Sequence, residues 1–331
     1  MQYRTLARSG IAVSPLAFGT MRFVPKDASS GQGWEAGERA LNAAIDGGVN
    51  LIHSNSAWPT YPATQRFLSR HPQRGELQHI IKLESPDYHE VEFDPDRFRT
   101  VVDAALRALH TDRIAIVQHL QRGPECPKSI AYDAAGDERR LAGLQRISEQ
   151  VGEVAEELVA AGKIGEVATF PHTPGFAAGA IEAGVYGSVV HFYSLLETEM
   201  VPLLDDIAAR GMSFIGLRPF VQGLATDLRA DRRALPEEDP RRAERYEAWY
   251  ARLAEIRAHL GIGAGELTST ALRFALAHPA VTSVAVGLNT VDQVAAALRA
   301  VAEPPLDPAL VTAAGARNAT LPRIAKDTLF G

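Results

Sequence analysis

Apolar positions along the chain follow two spacings in turn. In residues 97–109 (RFRTVVDAALRAL), Phe98, Val101, Val102, Ala105, Leu106 and Leu109 recur three or four apart, which marks one face of a helix. A short turn, His110-Thr111-Asp112, leads into the apolar run Ile114-Ala115-Ile116-Val117, which predicts a buried strand stopping at Gln118-His119. A helix feeding a buried strand is one unit of a parallel α/β fold, where the strand C-termini carry the chemistry. The alternation repeats along the chain. Strands are predicted at 49–52, 79–83, 164–168, 187–192, 212–217 and 281–286, besides the one that begins at Leu16. Helices are predicted at 34–47, 63–70 (weakly), 138–161, 175–183, 199–210, 266–278 and 290–302. Residues 2–7 and 11–16 flank Ser9-Gly10, a hairpin turn signal. Roughly eight strand–helix units behind an N-terminal β-hairpin predict an α/β fold, the (β/α)8 TIM barrel. A doubly wound sheet would need a Gly-rich fingerprint after its first strand, and Gly19-Thr20-Met21 does not supply one. Residues 121–136 are polar and rich in Pro and Gly, so they read as a loop on the active-site face. Residues 221–262 read as a peripheral insertion, a charged loop followed by a helix (ERYEAWYARLAEIRAHL).

Composition narrows the class. The 331 residues, 46% hydrophobic and 22% charged, suit one domain spanning 1–331. A net charge of -6 with no Lys/Arg-rich run argues against a nucleic-acid partner. The single cysteine, Cys126, excludes an intramolecular disulfide and Cys-cluster metal sites, and its loop setting reads as inert. No run of about 18 apolar residues occurs, and MQYRTLARSG has no apolar leader core. The expectation is a cytoplasmic, soluble protein acting on a small molecule, with its oligomeric state unread.

Three stretches carry a family resemblance. The opening (YRTLARSGIAVSPLAFGTM), residues 97–119 and residues 271–294 (ALRFALAHPAVTSVAVGLNTVDQV) resemble the aldo/keto reductases, and the resemblance runs over essentially the whole chain. It implies NADPH-dependent carbonyl reduction. A Tyr is the acid, a Lys and an Asp tune that Tyr, and a His orients the carbonyl. The family's "G-V-N-x-F-D-T-A-x-x-Y-G" matches Gly48 to Pro59, so His53 stands at the Asp and Trp58 at the Tyr. Lys82 matches the Lys. His119 is matched to the His of "L-R-x-L-x-T-D-x-I-D-x-x-x-x-H". An indole N–H cannot protonate an alkoxide. Tyr61, three residues beyond Trp58, is the candidate for a relocated acid.

The positions matched to cofactor contacts are altered too. Phe170-Pro171 replace the Ser-Asn pair that holds the nicotinamide amide, Val190 replaces a Gln, and Leu217 replaces the stacking aromatic. Ala297 stands for the adenine Asn, and no Lys or Arg occurs between Thr282 and Leu298. Gly19, Thr20, Gly287 and Gln293 still match cofactor positions. The expectation is that no cofactor is bound, with NADPH as the alternative.

Further candidates come from position. Glu84 is two residues beyond Lys82, on the same side if the strand continues, and would be its counter-charge. His53, His119 and His191 end alternate strands, the arrangement a three-His zinc site would need. No carboxylate or His-x-His spacing backs it, so no metal is expected. Trp58, Phe170, Tyr193 and Phe220 are candidates to line a substrate pocket, with Arg218 as an anion anchor. The leading expectation is non-redox acid/base chemistry (elimination, dehydration, cyclisation or isomerisation) on a small carbonyl metabolite, with Lys82, His119, His53 and Glu84 as its groups. A carbonyl oxidoreductase using Tyr61, and a non-catalytic binding or regulatory relative, are the alternatives.

Overall fold

The computed structural model describes residues 1–24, 33–83, 92–121 and 134–324. Two short strands, β1 (Arg4–Thr5) and β2 (Ala12–Val13), form the antiparallel hairpin. Eight parallel strands follow: β3 (Leu16–Gly19), β4 (Leu51–Asn55), β5 (Gln78–Lys82), β6 (Ile114–His119), β7 (Ile164–Thr169), β8 (Ser188–Phe192), β9 (Ser213–Leu217) and β10 (Val281–Val286). They close into one barrel in chain order, with β10 paired to β3. The helices are α1 (Glu35–Asp46), α2 (Tyr61–Arg70), α3 (Pro95–Leu109), α4 (Ala134–Ala160), α5 (Pro174–Ala183), α6 (Leu204–Ala209), α7 (Glu247–Leu260), α8 (Leu267–Ala277), α9 (Val291–Ala302) and α10 (Ala309–Ala319). The chain is thus the (β/α)8 barrel with an N-terminal hairpin that its pattern predicts. No helix among the described residues is long and apolar enough to cross a membrane.

The unit α3–β6 shows how the residues make the fold. Asp94 caps α3 by accepting the Asp96 and Arg97 N–H groups, and Pro95 occupies the first helical turn, where no N–H is needed. His110, at φ 53°, closes the helix in the left-handed region. The strand behind it separates two apolar layers. Ile116 and Leu120 join Leu51, Ile80, Ala168, Val190 and Ile215 inside the barrel. Val117 joins Ile52, Ile81, Val167 and Val189 beneath the helices. Side chains of a strand alternate between its faces, so register decides which layer a residue enters.

The hairpin plugs the bottom. Leu6, Ile11 and Val13 belong to the inner layer. Ser213 Oγ accepts the Ala7 N–H at 2.9 Å, and Glu166 Oε2 accepts the Ser9 N–H at 3.2 Å. Gly165 must be glycine here, because a Cβ would stand 2.5 Å from Ile11 and 2.6 Å from the Ala115 carbonyl.

Three elements differ from expectation. β4 runs on to Asn55, so His53 sits within the strand. The segment at 199–210 is a 3-10 turn (Val201–Leu203) followed by the short helix α6. α10 (ALVTAAGARNA) carries too little apolar contrast to be read from the sequence. Between β9 and α8 the chain makes 3-10 turns and then α7, with Asp231 and Asp239 capping two of the turns.

Candidate active site

At the C-terminal end of the barrel, β4, β5 and β6 bring four polar side chains to one face: His53, Asn55, Lys82 and Gln118. Asn55 pairs with Lys82, and Lys82 pairs with Gln118. His53 lies two residues before Asn55 on the same face, with the inner-layer Leu51 below it. Its Nε2 is 3.3 Å from Gln118 Oε1. An amide oxygen can only accept, so Nε2 carries the proton and Nδ1 the lone pair. Both residues are buried. Burial pushes the His53 pKa down to about 4; the Gln118 hydrogen bond opposes this and the Lys82 charge adds to it. His53 is therefore neutral at pH 7. Trp58 stands edge-on to its ring at 5.3 Å, and Thr20 Oγ1 donates to the His53 carbonyl at 3.2 Å.

Aromatic rings continue the wall. The half-buried Lys82 holds its ammonium 6.0 Å from the Phe170 ring centre. Phe170 packs edge-on to Phe192 at 5.4 Å, and the Arg218 guanidinium lies 3.8 Å over Phe192. Arg218 Nε donates to Glu197 Oε2 at 3.1 Å, and its Nη2 donates to Oε1. Glu197 is fully buried. Arg218 thus already holds a carboxylate of its own chain.

Other sequence candidates lie elsewhere. His119 ends β6 but shares the outward face of Val117. Its ring packs against Phe93, Phe98 and Tyr186 at 5.5, 6.2 and 6.3 Å, beneath the helices. Burial pushes it down to about 4, and neither ring nitrogen has a hydrogen-bond partner. The reason for the misplacement is a one-residue offset: counted from Asp112, the family motif puts its His at position 120, and Leu120 is the residue in the inner layer. Tyr193 also belongs to the outer layer, against Phe214 and Phe274 at 5.5 and 5.8 Å, and does not line the lumen. His191 has the parity of Val189 and Tyr193, so the three histidines do not converge. Among the described residues no group of three His, Cys, Asp or Glu is placed to hold a metal. Tyr61 opens α2 and packs in the outer layer. Its hydroxyl is buried without a hydrogen-bond partner, and burial pushes it up to about 12. Phe220 packs, half-buried, against the outer layer. Glu84 and Cys126 lie outside the described residues.

The positions matched to NADPH contacts do not fit the nicotinamide amide. Phe170, Val190 and Leu217 present only carbon to the inner layer. The Pro171 carbonyl accepts from Arg140 at 3.1 Å. Ala297 is buried on α9. Gln293 Oε1 accepts the Asn289 N–H at 2.8 Å and the Gln293 N–H donates to Thr290 Oγ1 at 3.2 Å, so this side chain caps a helix. Gly19 is tight, a Cβ there meeting the Val286 carbonyl at 3.2 Å, whereas Gly287 borders open space.

Gln118, Phe192 and Glu197 join the site without having been read from the sequence. Gln118 was open to the same count from Asp112. For Glu197, 21 residues before Arg218, no local signal exists.

The sequence profile of the Aldo/keto reductase family matches residues 15–314. With that match over most of its length, the chain belongs to the Aldo/keto reductase family, a family of barrel enzymes. Among solved structures it is similar to the holo form of aldo-keto reductase AKR11C1 from Bacillus halodurans, with a TM-score of 0.70 and 22% identity over 96% of each chain. It is similar also to the glycerol dehydrogenase AKR11B4 from Gluconobacter oxydans, with a TM-score of 0.68 and 19% identity over 97% of each chain. At these identities the likeness speaks for the fold. No curated protein matches the chain.

Proposed function

We propose that this family member catalyses proton transfer beside a carbonyl, without hydride transfer. The reaction classes are isomerisation, cyclisation, and elimination including dehydration, on a small carbonyl compound. The observation that carries this reading is the buried, neutral His53–Gln118 pair beside Lys82, where the family has an Asp.

Lys82 binds the carbonyl oxygen and stabilises the negative charge that grows on it as the α-proton leaves. His53 takes that proton at Nδ1. In the resting site burial and the Lys82 charge keep this imidazole a weak base. As charge develops on the substrate oxygen it cancels the field of Lys82, and His53 becomes a stronger base when the proton must move. Trp58 and Phe170 exclude water from the reacting atoms. The apolar residues at the nicotinamide positions support a reaction that needs no NADPH, and Tyr61 in the outer layer supports the absence of a phenolic acid for a reductase.

The test is hydrogen exchange in D2O, followed by NMR, on a panel of small ketones and aldehydes. Solvent deuterium is expected at the α-carbon of at least one compound, and K82M is expected to lose about a hundredfold or more of that rate. Equal exchange by parent and K82M, or none with any compound, overturns the reading.

A further inference from the structure

Beside His53 the barrel mouth carries donors that the proton transfer leaves unused. Asn55, Lys82 and Gln118 occupy one register row across β4, β5 and β6. Each lies an even number of residues beyond an inner-layer position of its strand, Leu51, Ile80 and Ile116, so all three face the lumen. The His53–Gln118 contact of 3.3 Å shows that side chains of β4 and β6 meet over β5, so the row closes on one small volume.

In both amides the oxygen is already used. Asn55 Oδ1 accepts the Ala57 N–H at 2.8 Å, and the Asn55 carbonyl accepts the Trp58 N–H at 3.1 Å, which fixes the residue at both ends. A backbone N–H must meet an oxygen, so Asn55 Nδ2 is the outgoing donor. Gln118 Oε1 accepts from His53 Nε2, which leaves Gln118 Nε2 in the same way. Neither nitrogen donates to another described residue. Asn55 is 2% exposed and Gln118 1%, so bulk water hardly reaches these donors and a ligand oxygen is the acceptor that would satisfy them. The row is this chain's own. The family motif has Ala where Asn55 stands, and leaves the position of Gln118 unspecified.

We propose that this row binds a small α-hydroxy ketone, its carbonyl oxygen on Lys82 and the hydroxyl oxygens to either side on Asn55 and Gln118. The proposal rests on the proton transfer assigned above to His53 and Lys82. Neutral amide donors match uncharged hydroxyl oxygens, and Lys82 stands in the middle of the row, where the charge grows. The reaction is then a shift of the carbonyl to the neighbouring carbon. His53 takes a proton from a hydroxyl-bearing carbon. That C–H pair becomes a C=C bond, and the carbonyl π pair moves onto the oxygen at Lys82. The proton returns to the former carbonyl carbon, the hydroxyl proton passes to the oxygen at Lys82, and the hydroxyl carbon becomes the new carbonyl. No electron donor or second reactant enters.

The test compares dihydroxyacetone, which has all three oxygens, with acetone, which has the carbonyl alone. Ligand-observed NMR titration of the whole protein gives both dissociation constants, and NMR in D2O follows the reaction. Dihydroxyacetone is expected to bind about tenfold or more tighter than acetone. N55A is expected to cut that ratio about fivefold. N55D, which keeps the acceptor for the Ala57 N–H and loses only the donor, is expected to do the same, so a fold lost in N55A does not decide the result. Glyceraldehyde carrying deuterium on its middle carbon is expected from dihydroxyacetone. A ratio near one in the parent, or a parent ratio in both variants, overturns the row, even where deuterium enters acetone and the proton-transfer reading stands. A tenfold ratio with no deuterium in either ketone overturns that reading and keeps the row as a binding site. Deuterium in dihydroxyacetone without glyceraldehyde overturns the carbonyl shift.

Discussion

His53 Nε2 and Gln118 Oε1 meet at 3.3 Å across the inner face of β5, and Lys82 stands on the strand between them. A neutral acceptor thus holds an imidazole that burial already keeps neutral. Q118E replaces that acceptor by a carboxylate. The His53 pKa is then expected to rise from about 4 by roughly one to three units, because the imidazolium gains an ion pair. NMR titration of the His53 ring reads the shift directly. An unmoved pKa would mean that the two side chains do not touch in solution.

Acid stability follows from the buried histidines. His53, His79 and His119 are each pushed down to about 4 by burial. The unfolded chain protonates them near 6.5 and the folded chain only near 4. Stability is fully present above pH 6.5 and is lost as pH falls to about 4, on the order of 3 kcal/mol for each group. Neither ring nitrogen of His79 or His119 has a hydrogen-bond partner. H119F is therefore expected to flatten the pH dependence of urea unfolding between pH 6.5 and 4 and to cost little at pH 7. The same slope in parent and variant would contradict the buried neutral state.

The sequence made the barrel legible and left the faces of its strands unread. The apolar runs of β6, β8 and β10 announce buried strands, and His110 and Gly162 mark the approaches to β6 and β7. In β6, however, all six residues are buried, so no polar alternation tells the lumen side from the helix side. A shift of one position therefore moved His119 into the site and hid Gln118. The same ambiguity on β8 exchanged Tyr193 for Phe192. His53, Trp58, Lys82 and Phe170 were legible because their motifs have fixed spacing on either side. Glu197 was not, because its contact with Arg218 is made by the fold and not by neighbours in sequence.

The Arg218–Glu197 pair is a further point of leverage. The Arg218 side chain is 11% exposed and that of Glu197 fully buried. E197A removes the bidentate carboxylate and is expected to destabilise the protein by about 3 kcal/mol or more. E197L with R218M replaces charge by apolar volume and is expected to recover most of that loss. Urea unfolding of the single and double variants checks this; an E197A variant as stable as its parent would show that the pair does not hold the mouth together.

The account stands or falls on whether the barrel uses a nicotinamide cofactor. Phe170, Val190 and Leu217 offer no hydrogen bond to the amide, and Gln293 spends its side chain on a helix cap. Each lost buried hydrogen bond costs about 1 kcal/mol or more, and several together cost orders of magnitude in affinity. The decisive measurement is titration of the purified protein with NADPH and with NADH, followed by quenching of its tryptophan fluorescence and by calorimetry. No saturation is expected up to roughly 1 mM of either nucleotide. A micromolar or tighter dissociation constant for NADPH would contradict the account and return this chain to carbonyl reduction.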